Sequence, residues 1–176
     1  MFHSSTELLI DYWRGRRGAH AMPLRANIDP TGFPGLAPRA FLAVRQMTDV
    51  RFRLAGEAVI ELCQRQLAGE SVLWLWRPEH RGRVSALLGA ALIAGEPMVI
   101  GAESELDDGI YMRLELLFAP LIGPDGVADR FLGLCQPIAG VGFGALGELA
   151  ILTVDGHPAS ERAHLRLAAI DGRRIA

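Results

Sequence analysis

Lysine is absent from this chain of 176 residues; its 18 basic residues are all arginine. A Schiff-base lysine and a lysine general base are therefore excluded. Cysteine is nearly as scarce. Cys63 and Cys135 sit inside apolar segments without metal-ligand spacing, so they read as small buried hydrophobes rather than as a disulfide or zinc ligands. Long apolar runs are missing too. The longest, from Ala86 to Ala94, is interrupted by Gly89 and falls far short of the roughly 20 residues a bilayer-spanning helix needs. Met1-Phe2-His3-Ser4-Ser5-Thr6-Glu7 lacks a basic stretch followed by an apolar one, so no secretory leader is expected and the reading is cytoplasmic. Nor is there an excess of positive charge: the formal net charge is -2 and the pI is near 6.2. Binding to nucleic acid by bulk electrostatics is not expected.

What is present is a chain able to bury a core, with half of its residues hydrophobic and 22% charged. Its length fits one domain with extensions. The expected division is an N-terminal helix and wrap over 1–38, a core over 39–138 and a C-terminal extension over 139–176. Ser4 and Glu7 fit a capping box at the start of a helix whose Leu8, Leu9, Tyr12 and Trp13 share a face. Proline and glycine punctuate 19–38, where Leu24, Ile28, Phe33 and Leu36 offer anchors for an ordered wrap. Ala40 to Val44 and Arg51 to Leu54 read as antiparallel partners around a turn at 47–49. At Gly56 the period changes. Val59, Leu62 and Cys63 follow at helical spacing, so a strand hands over sharply to a helix over 57–66. Pro78 and Glu79 suit the first turn of a longer helix with Val84, Leu87, Leu88, Ala91 and Leu92 as its buried stripe. Three more strands are expected at 97–102, 110–118 and 130–136. Residues 165–170 read as a last strand or short helix.

The chemistry-bearing residues form no convincing active or metal site. His157 and Ser160 are close in sequence but have no third group to orient them. Glu103, Glu105, Asp107 and Asp108 crowd one loop without the glycine and terminal glutamate of a calcium loop, and read as a solvated turn. Gly140 to Gly147 is glycine-rich but follows no strand-turn-helix pattern. His80 reads as a residue of a helix's first turn. Arg14, Arg16, Arg17 and Arg25 could grip phosphate, yet pairing with Asp11 and Asp29 is the simpler account. The catalytic and metal assignments are therefore none, and no cofactor is named.

Several short motifs in order carry a resemblance. They are Tyr12-Trp13-Arg14, Pro23-Leu24-Arg25, Ile28-Asp29-Pro30, Arg51-Phe52-Arg53-Leu54-Ala55-Gly56, Leu67-Ala68-Gly69, Glu115-Leu116-Leu117-Phe118-Ala119-Pro120-Leu121 and Leu132-Gly133. Over roughly residues 8–138 the chain resembles the Per-Arnt-Sim (PAS) proteins of a bacterial branch found mainly in alphaproteobacteria as single-domain or N-terminal modules. It departs from that branch at Cys63-Gln64, where Phe-Gly is usual, and at Ala68, where threonine is usual. Pro78-Glu79-His80-Arg81 is similar to the Pro-Glu-Asp-Arg turn of many PAS domains, with His80 in place of the aspartate.

The resemblance implies an α/β (α+β) fold: a five-stranded antiparallel sheet with inserted helices and a preceding N-terminal helix. It implies a non-enzymatic sensory or regulatory module in signal transduction, working through contacts with a signalling protein. A small apolar ligand would meet Phe52, Leu54, Val59, Trp74, Leu88, Met112, Leu114 and Leu132, while Arg51 and Arg53 face outward. Leu8, Leu9, Tyr12 and Trp13 either pack on the sheet or form a homodimer interface. A pure interaction domain with a filled core is the alternative reading, and a small enzyme a more distant one.

Overall fold

A computed structural model describes residues 1–106, 109–139 and 145–156. Helix α1 (Ser4–Gly15) leads into short 3-10 turns at Arg25–Asn27, Pro30–Gly32 and Ala37–Arg39. Strands β1 (Ala40–Gln46) and β2 (Asp49–Ala55) form a hairpin, followed by α2 (Glu57–Cys63), a 3-10 turn at Val72–Leu75 and α3 (Pro78–Ala94). Strands β3 (Met98–Glu105), β4 (Tyr111–Ile122), β5 (Ala128–Ala139) and β6 (Ala150–Gly156) complete the order. They make one six-stranded sheet, β2-β1-β5-β4-β3-β6, in which every strand pair is antiparallel.

The α+β architecture follows the sequence reading, but the sheet has six strands rather than five. The added strand, β6, pairs with β3 and lies after the segment the periodicity resolves. The expected element at 165–170, like His157 and Ser160, lies outside the described residues. So do Asp107, Asp108 and Gly140 to Gly144.

Both faces of the sheet are covered, which explains why β4 is buried without interruption from Leu114 to Leu121. One face packs Phe41, Phe52, Met112, Leu114, Leu116, Phe118 and Phe131 against Val59 of α2 and Val84, Leu88 and Leu92 of α3. The other packs Val99, Leu117, Ala119, Leu121, Leu132 and Leu134 against Leu9, Ile10 and Trp13 of α1 and Ile28, Phe33 and Leu36 of the wrap. Alternating side chains along one strand thus feed two separate cores.

The β2 edge is partly covered as well. Segment 69–71 runs beside β2: Phe52 N–H donates to Glu70 O (2.9 Å) and Gly69 N–H to Phe52 O (2.8 Å). Ser71 Oγ donates to Asp49 Oδ1 at 2.6 Å, and Arg51 Nε meets Asp49 Oδ2 at 3.1 Å. On the far side β6 covers β3. The backbone groups of Phe52, which would otherwise invite another strand, are satisfied within the chain.

Candidate functional site

The face beneath the inserted helices is the natural place for an enclosed ligand. Phe52, Val59, Leu88, Met112 and Leu114 do meet there, all buried in one cluster. Aromatic rings lock that cluster: Phe41 packs edge-on against Phe52 (5.3 Å between centroids) and Phe118 (5.5 Å), and Phe118 against Phe131 (5.8 Å).

Three expected pocket residues lie elsewhere. Leu132 belongs to the opposite core. Trp74 is 58% exposed, because the 3-10 turn at Val72–Leu75 buries Val72 and Leu75 and turns the indole outward. Leu54 is also 58% exposed. Its displacement has a specific cause. Leu42 pairs with Leu54 and Ala43 with Phe52, so Arg53 is an extra residue on β2. A one-residue bulge reverses the alternation after it. Phe52 stays on the helix-covered face, while Leu54 moves to the other and Ala55 takes its place.

The face that carries α1 is held by a buried carboxylate. Glu115 accepts hydrogen bonds from His3 N–H (3.0 Å to each oxygen) and from Thr6 Oγ1 (2.6 Å). It sits where the positive end of α1 can stabilise it. The expected capping box does not form: His3 is the N-cap and its Nδ1 accepts from Ser5 N–H at 3.1 Å, while Glu7 accepts from Phe2 N–H at 3.3 Å. Glu115→Gln preserves shape and removes charge. It is expected to lower the unfolding free energy by about 1–2 kcal/mol, measured by urea denaturation, with exchange rising first at the amides of 3–7.

The expected interface residues of α1 are mostly engaged within the chain. Leu9 and Trp13 are fully buried against the sheet, and Trp13 Nε1–H donates to Pro120 O at 2.7 Å. Tyr12 stacks edge-on against Phe33 at 4.9 Å and bonds both backbone groups of Asp29. Only Leu8 of that set stands free, at 62% exposure. Of the two roles the sequence leaves open for them, Leu9 and Trp13 take sheet packing within the chain.

The arginines of this region are equally committed. Arg14 pairs with Asp11 at 3.2 Å, Arg16 lies over the Tyr12 ring, and Arg17 stacks on Trp13 while meeting Glu96 at 2.8 Å. The expected Arg25–Asp29 pair does not form. Arg25 donates instead to Ile28 O at 3.3 Å, and Asp29 accepts from Thr31 N–H, which holds its carboxyl below the ordinary range.

A cleft of about 460 Å³ opens between α2 and the segment before β6, lined by Cys63, Arg65, Trp74, Leu75, Arg81 and Leu146 to Glu148. Burial raises the Cys63 thiol and pushes Cys135 up to about 12, so neither supplies a thiolate near neutral pH. Arg81 is spoken for by Trp76 O and Glu148, both at 2.9 Å. Among the described residues no group of His, Cys, Asp and Glu is placed to hold a metal ion.

Two further cavities adjoin on the α1 side of the sheet, at its β2–β1 end. One, about 260 Å³, is apolar and lined by residues including Ile28, Phe33, Leu42, Leu54 and Leu132. The other, about 220 Å³, is lined by Arg25, Leu42, Ala43, Val44, Arg53, Leu54 and Arg130. The periodicity does not announce them, since the β2 bulge turns Leu54 onto the same face as the outward Arg53.

The profile of a family described as "PAS domain" matches residues 1–136. No curated protein matches the chain. Solved structures similar to it include a light-oxygen-voltage domain studied with a flavin analogue, at 16% identity and TM-score 0.49 over 62% of this chain and 83% of that one. The LOV protein of Rhodobacter sphaeroides is similar at 16% identity and TM-score 0.47, over 64% and 69%. The VqmA protein of Vibrio cholera, in a ligand–DNA complex, is similar at 10% identity and TM-score 0.45, over 85% and 63%. Strand β6 and the segment leading to it lie beyond the profile match.

Proposed function

This chain belongs to the PAS domain family, and we propose that it works as a non-enzymatic, cytoplasmic regulatory module that signals through protein–protein contacts, as a homodimer or with a signalling partner. In this reading residues 1–38 are an N-terminal brace, 39–138 the PAS core and 139–176 the output extension. The observation that carries the proposal is how the extension is latched. Leu146 N–H donates to Leu62 O of α2 (2.9 Å), and Leu149 N–H to Leu75 O (2.7 Å). Arg77 N–H, just before α3, donates back to Leu149 O (3.0 Å), and Arg81 meets Glu148 at 2.9 Å. The inserted helices and β6 are thus joined through one short segment.

The rings of Phe41, Phe52, Phe118 and Phe131 pack edge-on against one another in the helix-covered core, which supports signalling by contact. A change in the packing of α2 and α3 would shift the latch and with it β6. Exposed Trp74, on the rim of the adjoining cleft, offers a partner the kind of aromatic anchor enriched at interfaces.

The test is a charge swap. Glu148→Arg is expected to speed amide exchange about two- to fivefold, as loss of a partly exposed ion pair would, both in 146–156 and at the end of α2. Arg81→Glu in the same chain restores the wild-type rates. Faster exchange confined to 146–156, with α2 unchanged, would sink the coupling.

A further inference from the structure

We propose that the outer face of the sheet at the β2 bulge is a binding site for a small amphiphilic anion, a carboxylate or phosphate head on an apolar body. Three observations converge there. First, the cavity of about 220 Å³ is lined by three arginines, Arg25, Arg53 and Arg130, from three separate parts of the chain.

Second, these arginines are incompletely neutralised. Arg130 meets Asp129 at 3.1 Å through Nε alone, and Arg25 donates one long bond, 3.3 Å, to Ile28 O. The Arg53 side chain has no hydrogen-bond or ion-pair partner among the described residues. The one carboxylate paired in this cluster leaves a net positive site, and guanidinium is the group best matched to a carboxylate or phosphate.

Third, the arginine cavity opens beside the apolar one of about 260 Å³, with which it shares Arg25, Leu42 and Leu54. Together the two reach the size of small-molecule sites, about 300–1,000 Å³. Charge at one end and an apolar trough at the other define the ligand: an anion with a chain or ring, rather than inorganic phosphate. The bulge is the device that builds the site. It adds Arg53 and turns Leu54 to the same face, beside the wrap residues Ile28, Phe33 and Ala37 that wall the apolar cavity.

The experiment is a titration of the full chain with octanoate, followed by amide chemical shifts, against 1-octanol and inorganic phosphate as controls. Octanoate is expected to bind saturably, shifting Leu42, Arg53, Leu54 and Arg130. Octanol and phosphate are expected to bind at least about fivefold more weakly, since each keeps only one half of the recognition. Arg53→Gln weakens octanoate by about fivefold or more, and Leu54→Glu abolishes binding. Both positions are exposed, and unchanged unfolding midpoints show that the variants fold.

Equal binding of octanol and octanoate would overturn the proposal, as would full affinity in Arg53→Gln. Shifts centred on Met112 and Leu114 would place the ligand in the other core and overturn it too. So would recognition of an acidic peptide without recognition of octanoate. None of these outcomes depends on the latch at Glu148, so the two proposals fail separately.

Discussion

Trp13→Ala is expected to lower the unfolding free energy by about 3–5 kcal/mol, the cost of removing a fully buried aromatic side chain, and to shift the urea midpoint accordingly. The indole has no exposed surface and joins α1 to the sheet core formed by Leu117, Leu121 and Leu134. Its Nε1–H is the donor to Pro120 O, and its face carries the Arg17 guanidinium at 4.4 Å from the ring centroid. Truncation leaves a cavity, a carbonyl without that donor and an arginine without its platform. Trp13→Phe separates the contributions: it retains much of the packing and loses the donor, so it should cost about 1–3 kcal/mol. The competing idea, that Trp13 serves an interface between copies, makes the opposite prediction. A Trp13→Ala protein with an unchanged urea midpoint that turns from dimer to monomer in sedimentation would refute the burial argument.

The same residue shows where sequence reading stops. The spacing of Leu9, Tyr12 and Trp13 announces an apolar helix face, but periodicity does not say what covers it. Here the answer lies in β4, whose Leu117, Ala119 and Leu121 form the second face of a two-sided sheet. A strand buried on both sides loses its alternation, so 114–121 reads as an apolar run with two destinations. The start of the long helix and its buried stripe, by contrast, are legible in the sequence. Pro78 opens it, Gly95 in the left-handed region (φ +68°) closes it, and Val84, Leu88, Ala91 and Leu92 face the core as their spacing requires.

The candidate sites were less legible, and for a definite reason. Phe52 and Leu54 are two residues apart and ought to share a face. Whether they do depends on how β2 pairs with β1, a non-local fact that no local pattern contains. One extra residue separates them and puts Leu54 in the wall of the arginine cavity. Strand β6 was missed on similar grounds. Ile151, Leu152 and Val154 give a weak, mixed pattern because β6 is an edge strand, and its place is fixed by pairing with β3. The latch before it uses backbone groups, which leave no mark in the residue types.

Gly56→Ala is expected to destabilise the protein by about 2–3 kcal/mol, toward the upper end of what overpacking costs, and to do so for a reason unrelated to helix propensity. Gly56 has φ -67°, a value any residue adopts, so conformational freedom is not what it supplies. It supplies space. A Cβ at this position would lie 2.2 Å from Pro38 O and 2.5 Å from Ala37 O. Both are backbone atoms, which cannot rotate away as a side-chain tip can. Gly56 N–H also donates to Ala40 O at 2.8 Å, which fixes the approach. The strand-to-helix switch is therefore pressed against the end of the wrap.

Serine makes the discriminating case. Gly56 is the residue before α2, where serine ordinarily caps a helix better than glycine or alanine. If capping governed the site, Gly56→Ser would equal or exceed the wild type in stability. Because contact governs it, serine should be at least as damaging as alanine, with urea midpoints falling in the order wild type, alanine, serine. The damage should spread through the wrap, since relief of the clash moves Ala37 and Pro38, and with them the Phe33 and Ala37 wall of the apolar cavity that Gly56 also lines. Amide shifts in Gly56→Ala should therefore extend to 33–38 as well as to the start of α2. Shifts confined to 57–60, or a serine variant as stable as the wild type, would show that the helix start alone sets the requirement for glycine.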